Sequence, residues 1–202
     1  MHRLFLSSAL IAGAFAAGAG AQPSPAVTAA EFRHLEWRDG AIVSTAPIAY
    51  RIEADPGLRA GPATHRVADF GGHPFEVSMA AFAGPDAAVM VHAERVADGS
   101  GRSNYDELPA SAWPDGRFRV RRQCASIDRE TARSEHDLAY LTRQGMNPEG
   151  ALALEQYFAT TGDHNHELVI SLVVRVASCA AEAVNGAALQ RLRYQVRAVP
   201  AG

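Results

Sequence analysis

Leu168-Val169-Ile170-Ser171-Leu172-Val173-Val174-Arg175-Val176 is the most apolar stretch beyond the first twenty-one residues, and five of its nine side chains branch at Cβ. Leu168, Ile170, Leu172, Val174 and Val176 alternate with Val169, Ser171, Val173 and Arg175, so both faces are largely apolar. Branched side chains suit a pleated surface, and a strand that is apolar on both faces belongs inside a sheet. The fold is read outward from this central strand.

Immediately upstream the period changes. Ser134 with Asp137 three residues later resembles a capping box ahead of Leu138-Ala139-Tyr140-Leu141, and Gly145 supplies a stop. Asn147-Pro148 then has the order of a cap residue followed by proline at the first helical position, with Leu154 and Phe158 on one helical face. These signals predict two short helices joined by a tight turn, an αα hairpin over residues 134–160.

Further upstream the pattern is that of strands. Arg33 to Ala46 reads strand, Asp39-Gly40, strand, because Asp-Gly supplies the positive φ of a tight hairpin. Ile48, Tyr50 and Ile52 continue the alternation up to Asp55-Pro56-Gly57. Residues 65–70 and 73–83 flank Gly71-Gly72 as a second hairpin, and residues 87–96 read as an inner strand. Residues 97–116 show no sustained period. From Arg117 to about Ser126 alternation returns, with Phe118, Val120 and Cys124 opposite Arg117, Arg119 and Arg121. Downstream, Leu189, Leu192, Val196 and Val199 keep helical spacing, while Leu192, Tyr194, Val196 and Ala198 alternate. Abundant alanine favours helix for residues 180–199, with strand as the alternative. The expected fold class is α+β: an antiparallel-rich sheet of about six to seven strands, with the αα hairpin and a C-terminal helix or strand packed on one face.

The first twenty-one residues have the three-part layout of a secretory signal peptide. His2 and Arg3 precede an apolar run from Leu4 to Ala17, and Ala19-Gly20-Ala21 places small residues at −3 and −1 of a cleavage site after Ala21. Residues 22–31 read as a short Pro- and Ala-rich linker, and residues 32–202 as one domain. Cleavage would leave 181 residues with a formal charge of −4, exported to the periplasm or secreted. In an oxidising compartment two cysteines, Cys124 and Cys179, are expected to form one disulfide.

Composition removes several reaction classes. Of 202 residues, 48% are hydrophobic and 20% charged, and all 19 basic residues are arginine. A Walker A loop, a pyridoxal Schiff base and a Ser-x-x-Lys acyl-transfer site each require a lysine amine. Two cysteines cannot hold an iron–sulfur cluster or a cysteine-rich structural zinc. The sequence has no Gly-x-Ser-x-Gly elbow, no His-Glu-x-x-His and no dinucleotide glycine fingerprint. An acidic exported chain is also a poor match for nucleic acid.

Three stretches carry candidate chemistry. Arg117, Arg119 and Arg121 on one strand face repel one another unless an anion or neighbouring carboxylates such as Glu76 or Glu94 compensate. The loop from Asp98 to Gly116 holds Tyr105 and Trp113, whose rings could stack on a ligand. In Asp163-His164-Asn165-His166-Glu167, an extended backbone would point His164 and His166 the same way, as ligands for zinc or copper. His92, His136 or Glu167 would then supply a third donor. His92, beside Met90, otherwise reads as a hydrogen-bonded core residue. No catalytic residue is assigned, and no cofactor is expected unless zinc or copper binds. The expectation is a non-catalytic exported domain that binds a small ligand or an envelope partner, with no membrane span after cleavage. A metal-binding protein and a small periplasmic hydrolase are the alternatives.

Overall fold

The computed structural model describes residues 33–180 and 186–201, so the expected signal peptide and linker lie outside the described residues. The order of elements is β1 (Leu35–Arg38), β2 (Ala41–Ser44), β3 (Tyr50–Ala54), β4 (Arg59–Ala60), β5 (Thr64–Asp69), β6 (Pro74–Ala83), β7 (Ala87–Val96), β8 (Ala110–Ser111) and β9 (Phe118–Ile127). Next come α1 (Arg129–Ser134), α2 (His136–Arg143), β10 (Gly150–Thr160), β11 (His166–Val176), α3 (Ala187–Tyr194) and β12 (Val196–Pro200).

Every strand pairing is antiparallel. A small sheet runs β1-β2-β3-β12. A large one of eight strands runs β4-β6-β7-β11-β10-β9-β8, with β5 sharing the β6 edge with β4. The central strand read from sequence is β11, flanked by β7 and β10. At the first hairpin Asp39 and Gly40 have φ of 50° and 74°, the left-handed pair that the Asp-Gly turn requires.

The molecule is mostly antiparallel sheet with three short helices, broadly α+β, and it departs from expectation in three respects, the first being that α3 and α2 cover opposite faces of the large sheet rather than one. The large sheet has eight strands rather than six or seven. The αα hairpin is not formed as read: residues 150–160 are the strand β10, not a second helix. A spacing of four residues brings Leu154 and Phe158 to one face of a helix and equally to one face of a strand, so that pair could not decide between them. Partners on both sides did, since β10 is hydrogen-bonded to β9 and β11 along its length, and such pairing overrides helix propensity. Asn147 accepts a hydrogen bond from the Glu149 N–H at 3.0 Å, an Asx turn that leads into the strand. Both helices of this region lie earlier. Asp128 caps α1 by accepting from the Thr131 N–H at 2.7 Å, and Ser134 is the last residue of that helix. Gly145, with φ of 91°, follows α2 where a stop was read.

Both periods in the tail are real and follow one another. Leu189 and Leu192 are buried from α3, then Val196 and Ala198 are buried from β12.

The large sheet has two covered faces. On the first, Ala80 and Phe82 of β6, Val89 and Val91 of β7, Ile170 and Leu172 of β11 and Tyr157 of β10 pack against Leu35, Ile42, Tyr50 and Ile52 of the small sheet and Leu189 of α3. On the second, Met79, Met90, Leu152, Leu154 and Val173 pack under Leu138, Tyr140 and Leu141 of α2. Further along the second face Phe158 and Val169 are covered by Tyr105 from the long loop. Glu155 is buried on the first face, where Arg122 of β9 and Arg193 of α3 both donate to it, at 2.8 and 3.2 Å. Cys124 of β9 is bonded to Cys179, with Cα atoms 5.4 Å apart.

Candidate functional site

The second face of the large sheet is apolar at its α2 end and becomes polar towards the β10–β11 turn. The register fixes the layout. Glu94 of β7 lies directly across from Glu167 of β11, and His92 directly across from Val169. Met90, His92 and Glu94 alternate onto this face from β7, as do Glu167, Val169 and Ser171 from β11 and Gln156 and Phe158 from β10. Glu94, Glu167 and His92 are each only 1% exposed.

Two carboxyls directly opposed in a dry place cannot comfortably both be charged. Burial, then the charge of Glu167 and a hydrogen bond to it, push the Glu94 carboxyl well above its ordinary range, with Asp137 adding to the effect and Arg66 opposing it. Glu94 thus keeps its proton to higher pH than an ordinary carboxyl does. The hydroxyl of Tyr105 donates to Glu167 Oε2 at 2.7 Å, and its ring stacks on Phe158 with centroids 4.3 Å apart. On the other side Asp137 of α2 sits 3.3 Å from His92 Nε2 and 3.7 Å from Arg66.

Several atoms of this group have no hydrogen-bond partner in the protein. They include Nδ1 of His92 and the Glu94 oxygen that does not join the hydrogen bond to Glu167, whereas His92 Nε2 faces Asp137. An unsatisfied buried polar atom costs roughly 1–3 kcal/mol, so a group of them on one patch of sheet needs an explanation.

The residues singled out from sequence are distributed differently. Arg119 and Arg121 do point to the second face: Arg119 reaches the Leu108 carbonyl at 3.5 Å and Asp106 at 4.0 Å, and Arg121 lies over the Phe158 ring at 4.8 Å. Arg117 precedes β9 and turns the other way, over the Tyr50 ring at 5.0 Å and onto Asp115. The two carboxylates considered as partners for these arginines are used elsewhere, Glu76 by Arg95 and His34, Glu94 by its pairing with Glu167. Tyr105 and Trp113 lie on opposite faces of the sheet, since Trp113 packs on Tyr157 with centroids 4.4 Å apart. They cannot sandwich one ligand.

His164 has φ of 55°, in the turn between β10 and β11, so the extended backbone that would align it with His166 is absent. His166 is cross-strand from Arg95, whose charge disfavours a second cation there, and Glu167 points to the opposite face. Among the described residues no three His, Cys, Asp or Glu side chains come together as a metal site.

Among the described residues, Ser100 meets His73 and Ser78 meets His65, and neither contact has the geometry of a nucleophile relay. Ser100 Oγ and Asp98 both approach the same nitrogen of His73, Nδ1, at 3.2 and 2.8 Å, whereas a relay needs them on opposite nitrogens. Ser78 meets His65 Nδ1 at 2.8 Å and is itself fully buried on the first face. There burial lowers the His65 and His34 pKa values, and the Arg95 guanidinium holds Glu76 below the usual carboxylate range.

The loop of residues 97–116 is tied to the β10–β11 turn. The Ser103 N–H donates to the His164 carbonyl at 3.0 Å, and the Gly101 N–H to Asn165 Oδ1 at 2.8 Å. Gly101 has φ of 68°, and a Cβ there would lie 3.0 Å from the Asp163 carbonyl. That close approach brings Tyr105 over the carboxyl pair. Glu94 and Glu167 were missed as a pair because their pairing is a matter of strand register between residues 73 positions apart. The available signal was polar residues at a period of two in otherwise apolar strands. Comparison with protein-family models, with curated proteins and with solved structures gave no match, so the site rests on its own chemistry.

Proposed function

We propose that this is an exported domain that binds a small polar ligand without transforming it. The site is the second face of the large sheet, between Glu94, Glu167 and His92, with Tyr105 as its cover. The observation that carries this reading is the cluster of buried polar groups on one patch of sheet, the opposed Glu94–Glu167 pair and His92, whose Nδ1 meets no hydrogen-bond partner among the described residues. Native proteins leave few polar atoms in that condition, and such positions commonly mark a binding or catalytic role.

Binding is favoured over catalysis by two features. The groups are almost fully enclosed, and among the described residues no serine–histidine relay or metal cluster accompanies them. Export is supported by the leader pattern of residues 1–21 and by the Cys124–Cys179 bond, which suits an oxidising compartment. Among the described residues no helix is long and apolar enough to cross a membrane.

The reading is tested by native mass spectrometry of the full chain purified after export from its own producing cell. The expected spectrum contains a non-covalent mass that denaturation releases. The same mass should be missing from a Glu167→Gln/His92→Phe variant that still unfolds cooperatively. A bare wild-type protein, or equal retention by the variant, would rule the reading out.

A further inference from the structure

Two arginines on the second face of β9 carry charge that the protein does not compensate. A cationic strand residue is ordinarily offset by a carboxylate across the ladder. Arg121 instead has neutral Gln156 as its neighbour on β10, and Arg119 has Phe158 on β10 and Ala110 on β8. Glu155, next to Gln156 in sequence, is turned to the first face and held there by Arg122 and Arg193. Glu76 and Glu94 are engaged elsewhere on the sheet. Among the described residues the one carboxylate paired with either guanidinium is Asp106, 4.0 Å from Arg119 and with its side chain 67% exposed. An ion pair so long and so open offsets little.

Arg121 is also fixed in place without its donors being spent. Its guanidinium lies over the Phe158 ring at 4.8 Å, and the Tyr105 ring stacks on Phe158 as well. Stacking sets the plane of a guanidinium and leaves the N–H groups at its rim for an acceptor. The Arg121 Nε is buried and bonded to nothing, so packing rather than the hydrogen bonds of the fold holds this side chain. Because Phe158 is the cross-strand neighbour of Arg119, the lean of Arg121 over that ring carries its charge into the row of Arg119. Arg119 has the Leu108 carbonyl at 3.5 Å besides Asp106. Its side chain is 40% exposed, so solvent reaches this end of the face without any movement of Tyr105.

We propose that Arg119 and Arg121 form a surface site for a divalent oxyanion, a phosphate or sulfate group. Two guanidiniums match two negative charges, and their N–H forks suit the several oxygens such a group presents. A monovalent carboxylate leaves one positive charge over, and a cation is repelled. A side chain already held by stacking loses little freedom when the anion arrives. The site is distinct from the Glu94–Glu167 patch, and neither reading stands or falls with the other.

The test is a 1H–15N NMR titration of the folded full chain, in which sodium sulfate replaces sodium chloride at constant ionic strength. Sodium acetate and methyl phosphate are titrated in parallel at pH 8, where a phosphate ester is divalent. The Arg121 Nε–H, shielded by burial, is the reporter. Sulfate is expected to move it along a saturable curve that chloride does not produce. Acetate should need about tenfold higher concentration, since it engages one guanidinium rather than two. Arg119→Gln and Arg121→Gln, followed at the backbone N–H groups of β9, should each weaken sulfate binding by about tenfold, the size expected for losing a charged hydrogen bond.

Tighter binding of methyl phosphate than of sulfate assigns the site to phosphate esters and the reverse to the free ion, and either supports the divalent oxyanion. No saturation, acetate saturating at the sulfate concentration, or unchanged sulfate binding in both variants would overturn it. The wild-type ranking of sulfate, acetate and chloride decides the matter even where a variant fails to fold.

Discussion

Glu94→Gln is expected to make the protein more stable, by an amount that grows with pH. In the folded protein Glu94 is held protonated by burial and by Glu167, whereas in the unfolded chain it ionises in the ordinary carboxylate range. Below that range both states carry the proton and there is no penalty. Above it the unfolded state loses a proton that the folded state retains, so the wild type loses about 1.4 kcal/mol per pH unit until the raised folded value is passed. Glutamine carries no such proton, and its amide can donate to Glu167. Urea midpoints of both proteins at pH 5 and pH 8 check this: the gap should be wider at pH 8. Parallel pH profiles would show that Glu94 ionises normally in the fold. The comparison has to be a difference between the two proteins. His34 and His65, whose burial lowers their pKa values, make both less stable as pH falls below the ordinary histidine range.

Replacing Cys124 and Cys179 together by serine is expected to lower stability by about 4 kcal/mol, the chain-entropy value for a closed loop of this length. The bond joins positions 55 residues apart, and the segment between them contains α1, α2, β10 and β11. Without it the unfolded chain regains the freedom of a segment that holds two of the large sheet's eight strands whole. Cys124 also packs against the first-face core, whereas Cys179 is exposed, so the serine pair changes packing at one end only. Urea unfolding of the double variant, set against the oxidised wild type, measures the difference. A loss below about 1 kcal/mol would mean that the unfolded chain is already restrained without the bond.

What the sequence made legible was local. The Asp39-Gly40 turn, the two-faced strand at 168–176, the hairpin around Gly71-Gly72 and the stop at Gly145 each follow from a few neighbouring residues, and each is found where it was read. Residues 150–160 were misread because a spacing of four puts Leu154 and Phe158 on one face of a helix and of a strand alike, and only the neighbouring strands decide between them. Glu155 gave no sign of being a buried residue, since its two arginine partners come from β9 and α3. Tyr105 was picked out for its ring, yet its hydroxyl is what reaches Glu167. Pairing Tyr105 with Trp113 failed for a geometric reason: the loop wraps the β8 edge, and its two aromatics end on opposite sides. The carboxyl pair needed strand register, which no window of sequence contains.

The position of β7 beside β11 also bears on how the chain reaches this structure. The β6–β7 and β10–β11 hairpins can each zip from a local turn, and β9 joins β10 across residues 128–149, which hold α1 and α2. The β7–β11 ladder cannot, since it joins residues 87–96 to residues 166–176. Ordering so long a loop precedes any reward from the contacts it allows, so this seam is a slow junction of the large sheet. Glu94 and Glu167 meet on that seam. A proton on Glu94 therefore does more than lower the energy of the finished sheet: it removes a repulsion between two preformed halves at the moment they close.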